Sequence, residues 1–249
     1  MPVHKSTVLL LGCNDWSESS QVVHLLAREV GRFRCLAKGS RRSANPFSGP
    51  LDRWMLGEAV VSVPHPDRLA TLMELYETDR FDGLHRSLPA YYGAATVTEL
   101  IQALVPDLDP QPPVFDLVAG TLSRLAAVEP DACRAVTFAF ALRLLGLLGY
   151  GPPADACVEC GQAIAAGRPV AYSVGLGGPV CDACRPRDKG RIHRLSGKTA
   201  QAMAFLAGAP WDQVRRVRLA PTTTDQVRSV LSATVIELAG RELGAVRYV

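Results

Sequence analysis

The chain has 249 residues, 48% of them hydrophobic and 20% charged, with a formal net charge of +3. This composition excludes disorder as the default and allows one large packed domain or a few small ones. The chain has seven cysteines, an odd number, and opens on MPVHKSTVLLLGCNDW, without a secretory pattern; this argues against a disulfide framework and for a soluble, cytoplasmic protein.

The charge is unevenly spread. Residues 1–80, 81–150 and 151–249 carry net charges of +1, −3 and +5. Between Arg28 and Arg53 seven basic residues face only Glu29 and Asp52. Such clustering favours a polyanionic partner, although a solvated face has the same composition.

The first 80 residues read mostly as strands. STVLLLG, SQVVHLLA and RFRCLAKG are apolar runs, and REVG between the last two supplies the glycine of a tight turn. Arg32, Arg34 and Leu36 alternate with Phe33, Cys35 and Ala37, which puts a partly basic face opposite an apolar one. LDRWMLGEAVVSV and RLATLMELYETDR complete about five strands. Helical readings of Gln21–Arg28 and of the last segment remain open, because both are too short for periodicity to decide. Five strands with Gly-rich and basic connections suit a small barrel such as an OB-fold.

The middle reads as helical. Tyr91, Thr98 and Ile101 share a face, with Pro89 early and Pro106 past the end. Phe115, Val118, Leu122 and Leu125 form a second stripe. The window Ala135–Tyr150 is apolar on nearly all sides, as a central helix requires. It is shorter than the roughly 20 residues of a membrane span, and Arg143 interrupts it. Ser196–Ala207 and Thr224–Leu243 are further helix candidates.

Two Cys-x-x-Cys pairs, Cys157/Cys160 and Cys181/Cys184, flank 20 residues. Each pair offers two thiolates from one tight turn, and four such ligands suit tetrahedral zinc. Four thiolates leave no open position, so such a site is structural. A redox pair and a metal-free hairpin are the competing readings. His193 reads as a surface or phosphate-contacting residue, and Cys13, Cys35 and Cys133 as core thiols.

The segment RFRCLAKGSRRSANPFSGPLDRW joins a basic strand to a basic turn. Arg32, Arg34, Lys38, Arg41, Arg42 and Arg53 are the candidate phosphate contacts. Phe47 and Trp54 offer base stacking, but aromatics in so small a barrel more often pack inside, and core is the favoured reading. The run Arg185, Arg187, Lys189, Arg191 and Arg194 extends a DNA path or faces solvent. The chain contains no Gly-x-x-x-x-Gly-Lys-Ser/Thr, Gly-x-Ser-x-Gly or His-Glu-x-x-His, so no catalytic residue is assigned.

In their order these motifs resemble the bacterial recombination mediator family RecO. The matching parts are Glu18-Ser19-Ser20, the turn Glu29–Gly31, Ala37–Arg42, Phe47–Leu51, and Gly177-Gly178 just before Cys181. The family usually has Gln-Pro where this chain has Asp52-Arg53. The resemblance implies an α+β protein: an N-terminal OB-fold β-barrel over residues 1–80, then an α-helical domain over 81–249 with a four-cysteine zinc-ribbon-like module inserted at 155–187. It implies structural zinc and a nucleoid-associated location. It also implies a non-enzymatic function: binding single- and double-stranded DNA, annealing complementary strands and, with RecR, helping to load RecA onto DNA coated by single-stranded-DNA-binding protein. That protein's acidic, apolar tail docks on the helical domain in the family. The alternatives are a zinc-ribbon transcription or translation factor and a metal- or thiol-dependent enzyme.

Overall fold

The computed structural model describes residues 3–47, 49–62, 69–150, 156–165, 167–185 and 192–249. The chain divides into two compact units. One contains residues 1–82 and 105–123, the other residues 83–104 and 124–249.

The first unit is built on five strands: β1 (Val3–Asp15), β2 (Gln21–Ala27), β3 (Gly31–Ala37), β4 (Leu56–Ser62) and β5 (Ala70–Asp79). Both segments left open by the sequence are strands. Alternate residues point inward, and Val8, Leu10, Val23, Leu25, Phe33, Cys35, Leu72 and Leu75 form one core. Burial pushes the thiol of Cys35 up, consistent with a packing role.

The fold class needs one correction. The pairings run β1-β2-β3-β5-β4 and return to β1 through β4, but the circuit is uneven. β3 meets β5 in parallel over three residue pairs only, from Cys35↔Ala70 to Ala37↔Leu72. Nearer the start of β3, Arg32 bridges to Asp107 instead, and the amide of Leu108 donates to the carbonyl of Arg32 at 2.8 Å. Gly31, at φ +85°, lies so close to this segment that a β-carbon there would stand 2.5 Å from the carbonyl oxygen of Asp109. Further along, Arg28 grips Asp116 through two contacts of 3.0 Å. The first unit is therefore a curled five-stranded sheet with a short β3–β5 seam and a later chain segment laid against β3. It is not the evenly closed, self-sufficient OB-fold β-barrel expected from residues 1–80. The α+β class stands.

The helices are α1 (Leu88–Leu104), α2 (Pro112–Ala127), α3 (Pro130–Leu147), α4 (Gly197–Gly208), the short α5 (Trp211–Val214) and α6 (Pro221–Ala239). Pro130 opens α3 at a position where no amide hydrogen is needed. The helix is buried on most sides, as its unbroken apolarity requires. Among the described residues no helix is long and apolar enough to cross a membrane.

Between α3 and α4 lies a small antiparallel sheet in the order β7-β6-β8, made from β6 (Val170–Ser173), β7 (Gly178–Val180) and β8 (Ile192–Leu195). The third strand, β8, comes after the second cysteine pair.

Candidate metal centre and basic face

The cysteine hairpin is assembled by backbone. The amide of Cys157 donates to the carbonyl of Gln162 at 2.8 Å, and that of Gly161 to Cys157 at 2.8 Å. Across the hairpin the amide of Val158 donates to Pro179 at 3.0 Å, and in the second turn Cys184 donates to Cys181 at 3.2 Å. These bonds gather the sulfurs of Cys157, Cys160, Cys181 and Cys184 within 4.8 Å of one another. The Sγ atoms of Cys160 and Cys181 are 3.8 Å apart. That is far beyond a disulfide bond of about 2.05 Å. It matches the edge of a tetrahedron with metal–sulfur bonds of about 2.3 Å.

The electrostatics fit a cation. Backbone amides around Cys181 and Cys160 hold the Cys157 thiol down to about 6. The neighbouring sulfurs of Cys160 and Cys181 push Cys184 up to about 12. Four sulfurs this close cannot all ionise alone, whereas a bound metal ion deprotonates its thiols outright. The cluster is capable of holding a metal ion with every ligand supplied by protein.

His193 stands on β8, apart from the metal cluster. Its Nδ1 is 3.2 Å from the hydroxyl of Ser229, and burial lowers its pKa. The carboxylate of Asp225 accepts from Arg228 at 2.9 Å. In the second basic run, Arg194 is exposed and Arg185 half-buried; Arg187, Lys189 and Arg191 lie outside the described residues.

The six basic candidates of the first unit differ in their surroundings. Arg32 is engaged internally: its Nε donates to the carbonyl of Val105 at 3.0 Å and its Nη2 pairs with Asp107 at 2.9 Å. Arg34 is exposed on the outer face of β3, opposite His24 of β2. Burial, then the charges of Arg34 and Arg32, lower the pKa of His24. Lys38, Arg41 and Arg42 are exposed on the turn that follows β3.

That turn is tied to the β1–β2 loop. The amide of Arg41 donates to the carbonyl of Ser19 at 3.1 Å, and the amide of Gly39 to the hydroxyl of Ser20 at 3.1 Å. Buried Ser40 donates to the side chain of Gln21 at 2.9 Å, and Arg41 pairs with Asp15. The Glu-Ser-Ser segment and the Ala-Lys-Gly turn, read separately in the sequence, are thus one structure. Arg53 stands with its guanidinium 5.7 Å from the centre of the Trp54 ring. The thiol of Cys13, raised by burial and then by Asp52, lies 3.6 Å from the carbonyl of Leu51, which puts the segment of Arg53 at the same end of the sheet.

Phe47 and Trp54 are buried to 2% and 0% exposure, so they belong to the core, as the sequence reading favoured. The exposed tryptophan is Trp16, 64% accessible in the β1–β2 loop. The sequence reading passed over it. The available signal was a tryptophan set in a run of acidic and serine residues, DWSESS, with no apolar period to bury it.

Two family models match the chain. The N-terminal model of recombination protein O covers residues 1–78, and the C-terminal model covers residues 85–245. The chain belongs to the recombination protein O family. Among its relatives, the DNA repair protein RecO of Rhodopirellula baltica is 34% identical over 220 residues, covering 87% of this chain and 77% of that protein. The RecO of Anaeromyxobacter sp. strain K is 32% identical over 244 residues, 98% of this chain and 94% of the relative. That of Myxococcus xanthus is 29% identical over 252 residues, 100% and 97% respectively.

Proposed function

We propose that the chain is a non-catalytic mediator of DNA repair and homologous recombination. It binds single- and double-stranded DNA and anneals complementary strands. With RecR it helps to load RecA onto DNA coated by single-stranded-DNA-binding protein. The observation that carries this reading is membership of the recombination protein O family along nearly the whole chain. A transcription- or translation-factor role loses its support for the same reason.

Arg34, Lys38, Arg41 and Arg42 meet phosphates, with Arg53 at the margin. Arg32 holds β3 in place through Val105 and Asp107, and the charge of Asp107 offsets its own. Annealing needs no bond chemistry. Cations that neutralise phosphates lower the repulsion between two strands, and base pairing supplies the rest. Such contacts carry little sequence information and weaken with salt.

The metal is zinc, held by Cys157, Cys160, Cys181 and Cys184. It supplies charge neutralisation and a fixed crossing of two turns, not a reactive position.

The test is strand annealing, with and without single-strand-binding protein, by wild type and by Lys38→Glu/Arg41→Glu/Arg42→Glu. We expect the triple variant to anneal at least about tenfold more slowly, with a shallower salt dependence. Undiminished annealing would refute the assigned face.

A further inference from the structure

We infer that Trp16 is a base-stacking platform, so that the first unit grips single strands through a ring as well as through charge. This rests on the DNA-binding reading above and adds the feature that would distinguish single strands from duplex.

One exposed apolar residue means little on a protein surface. Two further observations set Trp16 apart. Its backbone is fixed: the amides of Trp16 and Ser17 both donate to the carbonyl of Ser20, at 2.9 and 3.1 Å. The same short loop is bonded to the basic turn through Ser19–Arg41 and Ser20–Gly39, and the neighbouring Asp15 pairs with Arg41. The loop that carries a 64% exposed indole is therefore bonded at three points to the turn that carries Lys38, Arg41 and Arg42.

The other two tryptophans are differently placed. Trp54 is fully buried, and Trp211 lies under the guanidinium of Arg143 at 3.9 Å. Base–aromatic stacking beside a track of cations is the usual construction of a sequence-tolerant single-strand site. In duplex DNA the base faces are already stacked on one another, so the ring would act on single strands alone. Acidic Asp15, at the end of β1, and Glu18, in the loop, flank Trp16 and would disfavour a purely electrostatic grip there.

The test compares wild type, Trp16→Ala and Trp16→Phe for binding to oligo(dT) and to a duplex of equal length. The indole fluorescence of the wild type is followed in the same titrations. We expect Trp16→Ala to bind oligo(dT) about tenfold more weakly while keeping its duplex affinity, which also shows that it is folded. Trp16→Phe should recover most of the loss. Oligo(dT) should quench wild-type fluorescence, and that quenching should vanish in Trp16→Phe. If Trp16→Ala matches wild type on oligo(dT), or loses both substrates equally, the stacking role is wrong while the DNA-binding reading survives. If the wild type binds neither DNA, both fall.

Discussion

Arg143 shows how one residue can hold a helix it does not belong to. Its Nε donates to the carbonyl of Leu206 at 3.1 Å and its Nη2 to the carbonyl of Ala209, at the C-terminal end of α4. Those carbonyls have no helical partner of their own, and a cation suits that end of the dipole. The guanidinium also covers the Trp211 ring. Burial lowers its pKa, but the group stays charged at neutral pH because its ordinary pKa is so high. Arg143→Met should cost about 2–3 kcal/mol, since it strands two acceptors and removes the cation from the ring. Arg143→Lys should recover only part of this, because an ammonium cannot reproduce the fork. Urea denaturation of the variants measures both effects. In the sequence Arg143 was legible only as an interruption that spoke against a membrane span. Its partners lie more than sixty residues away, and no local pattern points to them. The same distance hid the engagement of Arg32 with Val105 and Asp107. Phe47 and Trp54 were easier, because large aromatics beside a small apolar core have few other places to go.

At the scale of elements, alternation found the strands and apolar stripes found the helices, but their ends and seams were less accessible. The last long helix was expected over Thr224–Leu243 and runs from Pro221 to Ala239. Its N-terminus starts on a proline, and Gly240 at φ +67° ends it by accepting a left-handed cap. Both signals were present in the sequence and were outweighed by the stripe. The short β3–β5 seam was not legible at all. Parallel pairing of strands separated by a long loop leaves no local mark, and neither does a segment from residues 105–109 lying along β3. The cysteine hairpin was the opposite case: spacing alone carries the information, because two tight turns can present four thiolates in few ways. Metal analysis should find about one zinc ion per chain. Cys160→Ser, or a strong chelator, should lower the melting temperature by several degrees and open the hairpin to protease. Annealing by the basic face should persist. Loss of annealing with unchanged melting would mean that the metal acts in the reaction itself.

For the whole molecule, family membership was the most legible property, because two sets of motifs more than a hundred residues apart had to occur together. The division into units was less so. The sequence reading drew one domain over residues 1–80 and another over 81–249 with a module inserted at 155–187; in the structure residues 105–123 group with residues 1–82. Composition has no signal for a chain that leaves a unit and comes back to it.

The contact between Arg41 and Asp15 has a consequence for energetics. Asp15 is a resident counter-ion. A phosphate arriving at Arg41 displaces a carboxylate that stays on the protein, so the negative charge of Asp15 remains beside the strand. The pair therefore neutralises little of the strand's charge and displaces few of its condensed cations, and affinity there is held below what the charge count suggests. Asp15→Asn should bind single-stranded DNA severalfold more tightly at low salt. Its log–log salt slope should steepen by up to about 0.7, the value for one added phosphate contact on a single strand. An unchanged slope in a salt titration would show that Arg41 does not trade partners. On this account Asp15 keeps the grip loose enough for one strand to be exchanged for another.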